Sequence, residues 1–244
     1  MIIGISGKKQ SGKDTIGKIW QILSLNSDYS TQYIVNLINT SNVYNLDLCN
    51  NNVEIKKFAD KVKEITAKII NCTVEDLEDE KFKNKILDSQ WWYYYRKKKW
   101  YHFFKKNFTE KIPYQPGMKC NLPLIKPTPR CFLEQIGTEC GRNIIHKNIW
   151  IYTTLNNYNP NKDNWIITDV RFKNEAQELQ TYNQSILIRV NRPQLTNKKQ
   201  KEHSSETALD NYKNFDYIIN NNKDLYNLVE QVKTIYDKTN QNNG

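Results

Sequence analysis

The chain has 244 residues, with 36 Lys+Arg against 26 Asp+Glu and a formal net charge of +10. At 38% hydrophobic and 12% aromatic residues it can bury a core, which excludes wholesale disorder and a disulfide-stapled miniprotein. No apolar run reaches the roughly 18 residues of a membrane span, and the basic excess points to anionic partners: nucleotides, nucleic acid or acidic surfaces.

In chain order, the first element is the clearest. Met1 to Ile5 carries no basic leader or cleavage site, so no secretory signal is expected and the protein is assigned to the cytoplasm, the host's if the source is viral. Ile2 to Ser6 is a short apolar strand. It runs into a glycine-containing loop and then into Ile16, Ile19, Trp20, Ile22 and Leu23 at helical spacing. Residues 24–53 are polar and Asn-rich, with Tyr33 to Ile38 readable as a strand or a helical turn. Glu54 to Phe58 reads as a strand, and Asp60 to Ile70 as an amphipathic helix.

Residues 83–127 look like an insertion. They pass from an aromatic-basic block into a segment punctuated by Pro113, Pro116, Pro123 and Pro127. Thr128-Pro129 then reads as an N-cap with proline at the first helical position. Further helices are expected at 149–155, 174–182 and from 225 to about 238, and strands at 165–169, 185–190 and 216–219. Strands alternating with helices imply an α/β fold: a parallel sheet flanked by crossover helices, in one domain spanning 1–244. The five widely spaced cysteines and three histidines have no metal-ligand or disulfide spacing, and read as reduced thiols and ordinary imidazoles. Abundant Asn, Lys, Ile and Tyr, encoded by AT-rich codons, suggest a virus or a parasite as source.

The chemistry starts at Gly7-Lys8-Lys9-Gln10-Ser11-Gly12-Lys13-Asp14-Thr15. Gly-x-x-x-x-Gly-Lys between a strand and a helix is a phosphate cradle. Its glycines let backbone N–H groups converge, the helix adds its positive end, and Lys13 is a mobile cation for β and γ oxygens. Where such loops usually carry Ser or Thr after the lysine, this one has Asp14. Asp14 could hold Mg²⁺ directly or through water, or cap the helix while Thr15 meets a phosphate. A second carboxylate, Asp169, ends a hydrophobic strand, where it could orient Mg²⁺ or pair with the nearby Arg171, itself suited to clamping a phosphate.

These residues resemble the phage and viral deoxynucleoside monophosphate kinases. The resemblance rests on Ser11-Gly12-Lys13-Asp14-Thr15 and on Phe58-Ala59-Asp60 with Val62-Lys63. It continues in Thr128-Pro129-Arg130 with Leu133, Gln135, Gly137-Thr138-Glu139 and Gly141-Arg142, and in Asp169-Val170-Arg171-Phe172 with Asn174-Glu175. His203-Ser204-Ser205-Glu206 and Phe215 to Asn221 complete it. It implies a nucleoside monophosphate kinase fold with a nucleotide-binding helical region and a lid at about 191–207. It also implies ATP as co-substrate, Mg²⁺, and transfer to a (deoxy)nucleoside monophosphate. On this reading Lys13, Asp169 and Arg171 serve catalysis, and Asp14 and Asp169 the metal. Gly7, Lys8, Gln10, Ser11, Gly12, Lys13, Asp14, Thr15 and Arg192 hold ATP, while Phe58, Arg130, Gly137, Thr138, Glu139 and Arg142 hold the acceptor. One straight helix would separate Arg130 and Arg142 by roughly 18 Å, so both reach one nucleotide only if the helix ends or bends near Gly141. The oligomeric state is open, with a homodimer among the options.

Two other similarities are weaker: phosphomevalonate kinases share the loop and strand-end Asp, and dephospho-coenzyme A kinases are more distant. A different class is suggested by Trp91 to Lys106, which holds nine aromatics, six basic residues and no acid. Such a block can be a stacking platform for single-stranded nucleic acid. The preferred reading is a helical hairpin with its rings packed inward and its lysines in water.

Overall fold

The structure, a computed structural model, describes residues 1–40, 53–98, 108–193 and 207–241. It forms two compact units: Met1–Ala59 with Trp150–Gly244, and Asp60–Ile149.

The first unit is built on a five-stranded sheet. Its strands are β1 (Ile2–Gly7), β2 (Val53–Lys56), β6 (Asn164–Val170), β7 (Ser185–Asn191) and β8 (Tyr217–Asn220), in the order β2-β6-β1-β7-β8. Every pairing is parallel. Parallel strands need covered faces and so read as continuous apolar runs; in β6 every residue from Trp165 to Val170 is buried. Between β1 and β6 the register slips, with Gly4 opposite Ile167 but Ser6 opposite Val170. The extra β6 residue falls at Thr168-Asp169, where a bulge re-aims side chains.

One face of the sheet carries the main core. Ile3, Ile5, Ile166, Ile188 and Val190 pack with α1 (Lys13–Leu25), α2 (Thr31–Asn39) and α8 (Leu225–Gln241). The ambiguous stretch around Tyr33 is thus a helix, begun by Ser30, whose hydroxyl accepts the Tyr33 N–H. The last helix runs to Gln241, beyond the expected fraying point at Lys238, and buries Thr239. α6 (Ile149–Leu155) and α7 (Lys173–Leu179) complete the helices drawn on below.

The second unit holds α3 (Asp60–Ile70), α4 (Glu80–Lys83), a three-stranded antiparallel sheet and a long helical element. The sheet pairs β3 (Tyr93–Lys98) with β4 (Phe108–Pro113) and β5 (Leu124–Ile125). The aromatic-basic block is therefore not a helical hairpin in its described part. A run of three tyrosines favours a pleated surface, where alternate rings find cross-strand partners. Tyr94 is buried beside the Tyr114 ring, and Arg96 opposes Glu110. Trp91 packs edge-on against Phe132, and Lys126 and Lys111 lie over the Trp92 and Tyr93 rings. The rings of Trp91, Trp92, Tyr93 and Tyr94 are thus engaged within the unit; residues 99–106 of the block lie outside the described residues. So does most of the expected lid, including His203 to Glu206.

The proline-started helix is α5 (Pro129–Glu134), with the Thr128 hydroxyl accepting the Cys131 N–H. From Gln135 to Ile145 it continues as a wider π-helix, closed by a bond from His146 N–H to the Gly141 carbonyl. Among the described residues, no helix is long and apolar enough to cross a membrane.

Trp20 lies at the centre of the main core, 1% exposed, edge-on to Tyr236 at 5.3 Å between centroids. Its indole N–H has no hydrogen-bond partner among the described residues. Trp20→Ala should lower the unfolding free energy by about 3–5 kcal/mol. Trp20→Phe, which deletes an already unsatisfied donor, should cost clearly less; denaturant midpoints compare the two.

Candidate active site

β1 is the central strand, and its C-terminal end faces the crevice where ligands of open parallel sheets bind. Only Lys8–Gly12 separates it from α1. So tight a passage needs left-handed residues, and Gln10 (φ 62°) and Gly12 (φ 101°) supply them. At Gly12 a Cβ would be strained by that φ and would stand 2.6 Å from Asn221 Nδ2. At Gly7 it would meet Ser11 Oγ at 2.6 Å and the Val190 carbonyl oxygen at 2.8 Å. Both loop glycines are therefore required by space.

Gln10, Ser11, Gly12, Lys13, Asp14, Thr15 and Arg192 line one pocket of about 250 Å³. All seven were expected at the ATP site. Lys13 Nζ donates to the Gly7 and Lys8 carbonyl oxygens at 2.7 and 2.6 Å, so its ammonium lies folded over the loop that a phosphate would occupy. Arg192 donates from Nη1 to the Gln10 carbonyl at 3.1 Å. Ser11 is 1% exposed, yet its Oγ has no hydrogen-bond partner among the described residues. An orphaned hydroxyl in a glycine-shaped cradle, at the N-terminal end of α1, fits an anionic oxygen ligand.

Asp14 projects from the first turn of α1 and is well exposed. Its Oδ1 accepts the Thr168 hydroxyl at 3.0 Å and faces Lys57 Nζ at 2.9 Å. Burial raises the carboxyl, but Lys57, as donor and as charge, together with Thr168 and Lys13 outweighs it, and the pKa lies below its ordinary value. Asp14 is thus an anion held at the pocket by Oδ1. One exposed carboxylate beside a phosphate cradle suits a magnesium ion, which takes one or two carboxylates plus substrate phosphates.

Asp169 has a different environment. It is 8% exposed, and its two oxygens accept the Phe58 N–H at 2.8 Å and the Ala59 N–H at 2.9 Å. The bulge in β6 turns the carboxylate toward the chain leaving β2, where it serves as a backbone latch. Of the two carboxylates named for the metal, Asp14 has the open geometry and Asp169 the enclosed one. Phe58, named for the acceptor, is 2% exposed and contributes this amide rather than an accessible ring. Arg171 opens the turn into α7. Its N–H and that of Phe172 are both accepted by Glu175 Oε2, at 2.7 and 2.9 Å, and Glu175 is itself buried.

In the second unit, Arg130 donates from Nη2 to Glu80 Oε2 at 2.7 Å and from Nε to Asn84 Oδ1 at 3.0 Å. Its fork is half exposed and held in orientation by α4, with further N–H donors on the same plane. Gly137, Thr138, Glu139 and Arg142 all fall in the π-helical segment, so no straight α-helix separates Arg130 from Arg142. Gly137 faces Val62 of α3 at ordinary contact distance.

Three residues escaped the sequence reading: Lys57, Thr168 and Asn221, which donates from Nδ2 to the Ser11 carbonyl at 2.8 Å. A signal existed for all three: Lys57 and Asn221 directly follow β2 and β8, and Thr168 lies near the end of β6, at the C-terminal ends of strands where a parallel sheet gathers its chemistry.

A parallel sheet in the order 2-3-1-4-5, with a Gly-x-x-x-x-Gly-Lys loop on its central strand, defines a phosphate-loop protein of the nucleoside monophosphate kinase fold. The chain belongs to the deoxynucleotide monophosphate kinase family, whose sequence model matches residues 1–232. It is 33% identical over 132 residues to a protein of Acanthamoeba polyphaga mimivirus assigned as a deoxynucleotide monophosphate kinase, a match covering 48% of this chain and 65% of that protein. It is 30% identical over 115 residues to the deoxynucleoside-5'-monophosphate kinase of Escherichia phage T5, covering 42% of this chain and 46% of the phage protein. The matched stretches thus span just under two thirds of the first relative and under half of the second.

Replacing Lys57 by Met removes the main influence that depresses the Asp14 carboxyl and leaves burial in place. The Asp14 pKa should move upward, as read from the carboxyl carbon in an NMR titration; an unmoved midpoint would detach Lys57 from Asp14.

Proposed function

We propose that this protein transfers the γ-phosphate of ATP to a (deoxy)nucleoside monophosphate, giving ADP and the diphosphate. The observation that carries this reading is the pocket that Gln10 to Thr15 share with Arg192, in a chain matched by the family model over residues 1–232. Phosphoryl transfer needs positioning and charge neutralisation more than a covalent nucleophile, because the acceptor phosphate itself attacks.

Each group has a task in that reaction. The loop amides and Ser11 Oγ receive the β and γ oxygens of ATP. Lys13 leaves the Gly7 and Lys8 carbonyls and follows the transferring phosphate. Arg192 closes on the nucleotide from β7. Magnesium, when bound, would supply charge neutralisation at the phosphates. Asp14, anionic and exposed, would hold it directly or through water. Asp169 supports the site by fixing the Phe58-Ala59 backbone, and Arg171 lies two residues beyond it. On the acceptor side the pre-oriented fork of Arg130 takes the monophosphate, with Gly137, Thr138, Glu139 and Arg142 about the nucleoside. A phosphomevalonate or dephospho-coenzyme A acceptor is disfavoured by the extent of the family match.

A panel of nucleoside and deoxynucleoside monophosphates with ATP and Mg²⁺, read by ADP release, tests the assignment; no acceptor-dependent release would overturn it. Lys13→Ala should cut kcat by about 10²–10³ while circular dichroism stays native, since the loop is a surface feature. Arg130→Lys keeps the charge and loses the planar fork. It should raise the KM for the monophosphate about tenfold, lower kcat, and leave the KM for ATP close to normal. Equal weakening of both substrates would remove Arg130 from the acceptor site.

A further inference from the structure

The phosphate loop is not self-supporting. Its tightest peptide, Ser11-Gly12, is gripped from the far end of the sheet by a residue that follows β8. Asn221 donates its side-chain amide to the Ser11 carbonyl at 2.8 Å, and its backbone N–H donates to the Asn191 carbonyl at 2.8 Å. The preceding residue is clamped as well. Gln231 of α8 accepts the Asn220 N–H at Oε1 and donates from Nε2 to the Asn220 carbonyl, both at 3.1 Å, and to Asn227 Oδ1 at 2.8 Å. A chain of polar contacts thus runs from α8 through Asn220 and Asn221 to the loop.

In a trans peptide the carbonyl and the following N–H point in opposite directions. Fixing the Ser11 oxygen on Asn221 therefore fixes the Gly12 N–H facing away from Asn221. The pocket is lined by Ser11, Gly12 and Lys13 but not by Asn221. The left-handed Gly12 alone would let this peptide plane rotate, and the space where its Cβ would stand is taken by Asn221 Nδ2, 2.6 Å away. We infer that Asn221 is a positioning residue for phosphate binding: it locks the Ser11-Gly12 peptide with its N–H turned into the cradle, touching the loop's outer side and not the nucleotide. This rests on the phosphate-binding part of the kinase reading.

Asn221→Ala and the near-isosteric Asn221→Leu both delete the donor. Each should weaken ATP and inorganic tripolyphosphate about tenfold by calorimetry, while the KM for the monophosphate stays near wild type. A role in packing alone predicts that Leu rescues what Ala loses, so wild-type affinity in the Leu variant overturns the inference. A second measurement needs no variant. In the unsubstituted chain, tripolyphosphate should move the Gly12 amide proton downfield and leave the Asn221 side-chain amide in place. A Gly12 amide indifferent to tripolyphosphate, or an Asn221 amide that shifts with it, overturns the inference. The two readings separate cleanly: tripolyphosphate binding with this signature but no transfer to any monophosphate defeats the kinase assignment alone. Normal transfer with unaffected Asn221 variants defeats the brace alone.

Discussion

The site depends on how abruptly the central strand is stopped. β1 is buried on both faces to its last turn of pleat, and the chain must reverse into α1 within the five residues from Lys8 to Gly12. That passage is possible only with left-handed backbone at Gln10 and Gly12 and without a Cβ at Gly7. The reward for this crowding is electrostatic. Peptide dipoles that would otherwise cancel are turned toward one pocket, and the N-terminus of α1 adds the positive end of its dipole. The cations and carboxylate around it, Lys13, Arg192 and Asp14, are all hung from this one turn or its nearest strand end.

The same strand ends illustrate how one residue type divides its work. Asp14 and Asp169 are both carboxylates beside the loop, yet one is an exposed anion steadied by Lys57 and Thr168, and the other is enclosed by two backbone amides. The bulge in β6 separates them, because it sends Thr168 toward α1 and Asp169 toward the chain leaving β2. A carboxylate that accepts two amides gains charge-assisted bonds without needing a metal.

Much of this was legible in the residues. The apolar runs of β1 and β6, the phosphate loop, the Thr128-Pro129 cap and the α3 periodicity each carry a local physical signal, and each matches the structure. The failures share a cause: they turn on partners distant in sequence. Nothing near Asp169 announces that the Phe58 amide, 111 positions away, will arrive there. Tyr93 to Lys98 has rings that suit either a helix face or a pleat, and only the complementary strand from Phe108 decides for the pleat. The π-helical stretch from Gln135 has no periodicity of its own to read, since apolar spacing changes too little between 3.6 and wider turns.

The sheet order also bears on how the protein is made. β1 leaves the ribosome well before its partners, because both strands that flank it, β6 and β7, lie more than 150 residues downstream. At about 5–20 residues per second, the wait for β6 is on the order of 10–30 s. Through that interval Ile2, Ile3 and Ile5 present two open hydrogen-bonding edges and an apolar surface, the features that invite mispairing. Translation speed and holding chaperones thus become determinants of yield for this chain, and nucleotide can capture the fold only once the last strand of the sheet has been synthesised.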